Sequence, residues 1–153
     1  MVCMLGRNGC GKSTLLRTVA GLQAPLGGEY TIMNTPARAE TMNSQIALVL
    51  TERLSVDNTT IHDVVAMGRY PYTSFLGGLS ELDEEIIAQS LRDVGLYEQM
   101  HTFFNDHSDG EKQRVLIAKA LAQQTPIIFL DEPTAHLDLP NRIRVLQLLH
   151  ELA

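Results

Sequence analysis

One stretch constrains this chain more than any other. Gly6-Arg7-Asn8-Gly9-Cys10-Gly11-Lys12-Ser13-Thr14 lies between the apolar run Val2-Cys3-Met4-Leu5 and the helical pattern of Leu15, Leu16 and Val19. Its fixed part is Gly6 followed by Gly11-Lys12-Ser13. Glycines let the backbone curl so that successive N–H groups converge on one concavity, and the helix that follows turns its positive N-terminus to the same anion. A polyphosphate suits such a loop. Lys12 supplies a point charge for the outer phosphates, and the Ser13 hydroxyl is placed to ligate Mg²⁺ between them. Gly6, Asn8, Gly9, Cys10, Gly11, Lys12, Ser13 and Thr14 are therefore candidate nucleotide-binding residues, and Ser13 is also a candidate metal ligand. Glycine makes up about 7% of average usage, so chance would write this pattern in roughly 0.5% of chains this long. An ordinary glycine turn closing a strand is the weaker reading.

With 153 residues, 44% of them hydrophobic, the chain can bury one real core. A net charge of −6 argues against nucleic acid as the main partner, because backbone binding needs clustered Lys and Arg. Cys3, expected in the first strand, and Cys10, in a small-residue slot of the loop, make no disulfide framework and fit a reducing compartment. Apolar runs such as Ile46-Ala47-Leu48-Val49-Leu50 are too short to span a bilayer, and the start lacks a basic leader pattern. A soluble, cytoplasmic protein is expected, with any membrane role exerted through a partner.

The first helix is predicted over Lys12 to Ala20, with Gly21 ending it. A strand follows over Glu29 to Met33, closing at Asn34-Thr35-Pro36. Ile46 to Leu50 reads as a further, buried strand whose polar end at Thr51-Glu52-Arg53 can face a ligand. Two capping boxes then open helices: Thr60 to Asp63, with Gly68 as a stop, and Ser80 to Asp83, with Gly95 as a stop. Between them, Arg69-Tyr70-Pro71-Tyr72 through Gly77-Gly78 is an aromatic, turn-rich segment that cannot be helix throughout. It suits either local packing or a docking surface.

Ser108-Asp109-Gly110 reads as a cap and tight turn before a strong helix former, Lys112 to Ala122. Pro126 and the strand Ile127-Ile128-Phe129-Leu130 follow, ending in Asp131 and Glu132. Carboxylates at the C-terminal end of a parallel strand lie where α/β proteins bind ligands. Asp131 would orient Mg²⁺ and its waters, and Glu132 could polarise an attacking water.

Gly6 to Thr14, Ser108 to Arg114, Ile127 to Glu132 and Ala135-His136-Leu137-Asp138 resemble, in that order, the Walker A, signature, Walker B and D-loop motifs of ABC-transporter ATPases. Gly68-Arg69-Tyr70-Pro71 resembles a segment of the branch serving importers of iron-siderophore, haem and cobalamin complexes. The resemblance implies an α/β P-loop NTPase core of ABC ATPase type, spanning residues 1–153, with a helical subdomain inserted at 56–106. It further implies that Lys12, Ser13 and the loop backbone bind ATP and Mg²⁺, that Asp131 serves the metal, and that Glu132 is the catalytic base. Ser108 and Gly110 would contact the γ-phosphate of ATP held by a second copy, in a head-to-tail dimer. That dimer would drive transmembrane permease subunits through residues 51–78, placing the protein on the inner face of the cell membrane, with no nucleic-acid partner.

Several positions depart from the family pattern. His107 and Asp109 replace the Leu and first Gly that usually open the signature, and Asp109 puts negative charge near a phosphate unless Lys112 or Arg114 offsets it. The family's lid glutamine falls near Thr51 or Glu52. The adenine-stacking aromatic would precede Met1 and the switch histidine would follow Ala153, so the chain is expected to be the family's central portion, incomplete at both ends. Two other readings stay open on sequence alone: a nucleotide-binding module with little hydrolysis, and a soluble, non-transport ABC ATPase.

Overall fold

The computed structural model describes residues 1–7, 9–36, 44–51, 54, 56–73 and 78–153. Asn8, Glu52 and Arg53 lie outside the described residues. In chain order the elements are α1 (Lys12–Val19), β1 (Thr31–Ile32), β2 (Thr35–Pro36), β3 (Ile46–Val49), α2 (Ile61–Ala66), a 3-10 helix (Met67–Tyr72), α3 (Glu81–Asp93), short 3-10 turns at Tyr97–Gln99 and Phe104–Asp106, α4 (Asp109–Ala122), β4 (Ile127–Leu130) and α5 (Leu139–Glu151).

The centre is a parallel pair. β3 lies beside β4 with Ile46 opposite Ile127 and Val49 opposite Leu130. Because side chains alternate along a strand, each strand serves two faces. Ile46, Ile127 and Phe129 pack with Ile32, Tyr30 and Val19 on the α1 side. Ala47, Val49, Ile128 and Leu130 pack with Ala120 and Leu116 of α4 on the other. Helices thus cover both faces, as a parallel arrangement requires. β3 and β4 end where α1 begins, so the phosphate loop and the acids after β4 share one edge.

The larger core joins α2, α3, α4 and α5. Ile61, Val64, Val65, Ile87, Leu91, Phe104, Val115, Ile117 and Val145 are all buried within it. Burying each such aliphatic or aromatic side chain contributes about 1.5–3 kcal/mol. The two predicted capping boxes form: Thr60 Oγ1 accepts from Asp63 N–H at 3.1 Å, and Ser80 Oγ from Asp83 N–H at 3.2 Å. Gly21 and Gly95 end their helices as expected, each at positive φ (75° and 68°). Leu22 N–H donates to Arg17 O and Leu96 N–H to Leu91 O, both at 2.9 Å, which satisfies carbonyls a helix end leaves free.

Four expectations need correction. Val2 to Leu5 forms no ladder among the described residues, and Val2 and Leu5 are exposed; an apolar run becomes a strand only where an edge offers backbone partners. The predicted strand over Glu29 to Met33 shortens to Thr31–Ile32, because Met33 and Asn34 both take positive φ and turn the chain back into an antiparallel hairpin with Thr35–Pro36. Gly68 does not end α2. The chain runs on as a 3-10 helix containing Pro71, and a Cβ at Gly68 would overlap the Lys119 carbonyl oxygen and lie 3.2 Å from Ala122 Cβ. That glycine serves close packing on α4. Asp109 and Gly110 form the first turn of α4 and not a separate tight turn; Ser108 alone is the cap.

Arg69, next to Gly68, is buried. Its Nε donates to Asp83 Oδ1 at 2.8 Å and its Nη1 to the Ala122 carbonyl at 2.7 Å, while Tyr72 lies under the guanidinium, 4.1 Å from its carbon. One side chain therefore ties the 3-10 helix to both α3 and the end of α4.

Candidate functional site

Gly9 (φ 79°) and Gly11 (φ 96°) hold the left-handed backbone that curls the loop, and Gly11 caps α1. A Cβ at either would meet nothing within 4 Å, so glycine is needed there for its backbone sign and the cradle it leaves is open. Gly6 is different. A Cβ there would come within 2.8 Å of Cys10 Sγ. Lys12 Nζ folds back over the loop and donates to the carbonyls of Gly6 (2.9 Å) and Arg7 (3.1 Å). Those neutral acceptors are weak partners for an ammonium, and an anion in the cradle would displace them. Thr14 is exposed on the first turn, its carbonyl accepting from Thr18 Oγ1 at 2.8 Å.

Ser13 and Asp131, far apart in sequence, meet. Ser13 Oγ donates to Asp131 Oδ1 at 2.8 Å. Asp131 is buried and anchored at its backbone as well: its N–H donates to Val49 O at 2.9 Å, and its carbonyl accepts from Thr51 Oγ1 at 2.8 Å. Mg²⁺ keeps several waters and takes one or two protein ligands beside phosphate oxygens. One hydroxyl and one carboxylate on the rim of an open anion cradle fit that donor set. Among the described residues no group of three or more His, Cys, Asp or Glu side chains is placed to hold a metal by itself.

Glu132 goes the other way. Its φ of 48° turns the chain off the strand, its carbonyl accepts from Ala135 N–H at 2.8 Å, and its side chain is exposed while that of Asp131 is buried. A non-glycine residue in this region costs about 1–3 kcal/mol and is held only by its surroundings. The two adjacent acids are thus separated, one inside against Ser13 and one facing solvent.

Ser108 and Gly110 sit at the start of α4. The Ser108 hydroxyl donates to Glu111 Oε2 at 2.7 Å, and its amide donates to the same oxygen at 3.0 Å. These bonds, the hydroxyl first, hold the Glu111 carboxyl below its ordinary range, with His107 adding to the effect. Among the described residues, the side-chain hydrogen bonds of Ser108 are to Glu111. A Cβ at Gly110 would lie 2.5 Å from Asn141 Cγ on α5, so this glycine answers a helix contact within the chain. Lys112 Nζ donates to the Asn105 carbonyl at 2.9 Å and Arg114 Nη1 to the Val94 carbonyl at 2.8 Å, uses the sequence did not suggest for either cation.

Thr51, not singled out for the backbone of Asp131, is the contact sequence reasoning missed. Its only signal was its place just past the end of β3.

A family model described as ABC transporter matches residues 1–135. The chain belongs to the ABC transporter family. Over 151 residues it is 40% identical to the petrobactin import ATP-binding protein FpuD of Bacillus anthracis, a match covering 97% of this chain and 55% of that protein. Among solved structures it resembles a metal-chelate type ABC transporter in an inward-facing conformation, with TM-score 0.85 and 34% identity over 97% of this chain and 56% of the other. It also resembles a dimeric bacterial ABC transporter cassette, with TM-score 0.78 and 27% identity over 95% of this chain and 66% of the other. The chain spans about half the length of the curated relatives it matches. The α/β core with its phosphate loop is accordingly an ABC ATPase cassette fold. No helix among the described residues is long and apolar enough to cross a membrane.

Proposed function

We propose that this ABC chain is the ATP-hydrolysing part of an importer for an iron-chelate or cobalamin-type ligand. The observation that carries the reading is the Ser13–Asp131 contact, which joins the phosphate loop to the acid-bearing end of β4. The open cradle over Gly9 and Gly11 receives the phosphates, with Lys12 moving from the Gly6 and Arg7 carbonyls to the outer phosphate oxygens. Mg²⁺, when bound, neutralises charge on the β- and γ-phosphates. Ser13 and Asp131 would be the residues that hold it. Glu132, exposed beside that pair, orients the attacking water and takes its proton as the oxygen bonds to the γ-phosphorus and ADP departs.

Ser108 and Gly110 at the head of α4 face the ATP of a second copy in a head-to-tail dimer, and the resemblance to a dimeric cassette supports this pairing. Residues 56–106 act as the helical subdomain, and residues 51–78 transmit closure to permease subunits, so the chain works at the cytoplasmic face of the membrane. Phosphate release from Mg-ATP by the full-length protein, with Lys12→Ala as the comparison, tests the assignment. Release that depends on Lys12, together with copurification of a membrane protein, is the expected result. Release unaffected by Lys12→Ala would refute it.

A further inference from the structure

The histidine that opens the signature stretch lies in a chain of polar contacts with only one consistent proton arrangement. Thr102 Oγ1 is 2.6 Å from the Gln99 carbonyl and 2.7 Å from His107 Nε2. A carbonyl only accepts, so the single hydroxyl proton of Thr102 goes to Gln99, and His107 Nε2 must carry a proton and donate to Thr102. In the neutral ring Nδ1 is then a bare lone pair, and it lies 3.5 Å from Glu111 Oε2, the oxygen that accepts both the hydroxyl and the amide of Ser108. A neutral His107 and the carboxylate present lone pairs to each other. A protonated one forms an ion pair.

We propose that His107 is a positioning residue that controls, through Glu111, whether the Ser108 hydroxyl is free to serve the partner's ATP. The proposal rests on the ATP-driven dimer described above. While His107 is neutral, Glu111 holds the Ser108 proton by a charge-assisted bond, and both Glu111 and Asp109 set negative charge against an incoming phosphate. Protonation of His107 neutralises Glu111, weakens its hold on Ser108, and adds positive charge at the mouth of the site. Both effects favour ATP. Among the described residues, Glu111 faces His107 directly, and Asp106, Asp109 and Lys112 are its charged neighbours along the chain; Lys112 is turned to the Asn105 carbonyl. On the Gln99–Thr102 side, Thr102 presents its hydroxyl and Gln99 its carbonyl, and His101 is the titratable residue of that turn.

The test uses full-length protein carrying Glu132→Gln, with ATP-driven dimerisation followed by sedimentation at pH 6 and pH 8. A partly exposed charge pair of this kind changes equilibria by about two- to fivefold, so the dimer should be tighter at pH 6 by that factor. His107→Gln keeps a donor for Thr102 without titrating, and should remain at the weaker, pH 8 level at both pH values. Glu111→Gln should remain at the tighter level at both. A pH ratio that survives His107→Gln overturns the proposal while leaving the dimer intact. Absence of any ATP-driven dimer, in every variant and at both pH values, removes the underlying reading and the proposal with it. ¹⁵N NMR of the nucleotide-free protein at pH 8 is an independent check: the Nε2–H form of His107 supports the proposal and the Nδ1–H form overturns it.

Discussion

Replacing Gly68 by alanine separates two accounts of the same glycine. If Gly68 ended α2 in the left-handed conformation, alanine would cost about 1 kcal/mol and asparagine, which tolerates that conformation, would cost less. The structure assigns it another task. Its φ is not positive, and a Cβ would overlap the Lys119 carbonyl and lie 3.3 Å from Gln123 N, both backbone atoms of the α4 end that cannot swing aside. Alanine removes chain entropy from the unfolded state, a gain of about 0.4–1 kcal/mol. Forcing a methyl into a filled interface costs about 1–3 kcal/mol, and here α4 must also shift against the Arg69 bonds to Ala122 and Asp83. A net loss of about 1–2 kcal/mol follows for Gly68→Ala, and a larger one for Gly68→Asn. In urea, with a slope of about 1–3 kcal/mol per molar, the alanine variant's midpoint should fall by roughly 0.5–1 M without a change in slope. A Gly68→Asn variant more stable than Gly68→Ala would refute the close-packing account.

Gly110→Ala should destabilise by about 1–3 kcal/mol through its clash with Asn141, and Asn141→Ala should restore most of that loss in a double-mutant cycle read by thermal melting. Acid should weaken the fold in a defined window. Asp83 is held down to about 2, first by the Ser80 hydroxyl, then by its amide and by Arg69, while Asp63 and Glu111 are lowered chiefly by the Thr60 and Ser108 hydroxyls. A carboxylate whose folded pKa is depressed contributes stability above its unfolded value and loses it as pH falls, so the melting temperature should drop between about pH 4.5 and pH 2. Asp83→Asn should flatten that drop; a melting curve equally steep in the variant would count against the assignment.

The motif-bearing positions were legible because their chemistry is local. A glycine pattern sets the loop, a Ser or Thr three residues before an acid sets a cap, and an unbroken apolar run ending in acids sets β4. What sequence could not supply were contacts closed by tertiary packing. Nothing in the order of residues announces that Gly68 meets Lys119, that Gly110 meets Asn141, or that Arg69 reaches both Asp83 and Ala122. The burial of Asp131 and exposure of Glu132 likewise depend on a backbone turn at φ 48°, invisible in the string Asp-Glu-Pro. Val2 to Leu5 failed as a strand for the same reason, because hydrophobicity proposes a strand and only a neighbouring edge makes one.

The most direct test of the account is the behaviour of full-length Glu132→Gln with saturating Mg-ATP in light scattering. Loss of general-base help typically slows turnover by about 10²–10⁴-fold while sparing binding. The account predicts that this variant accumulates as an ATP-bound dimer, and that adding Lys12→Ala returns it to monomer. A species that stays monomeric at saturating Mg-ATP would contradict it.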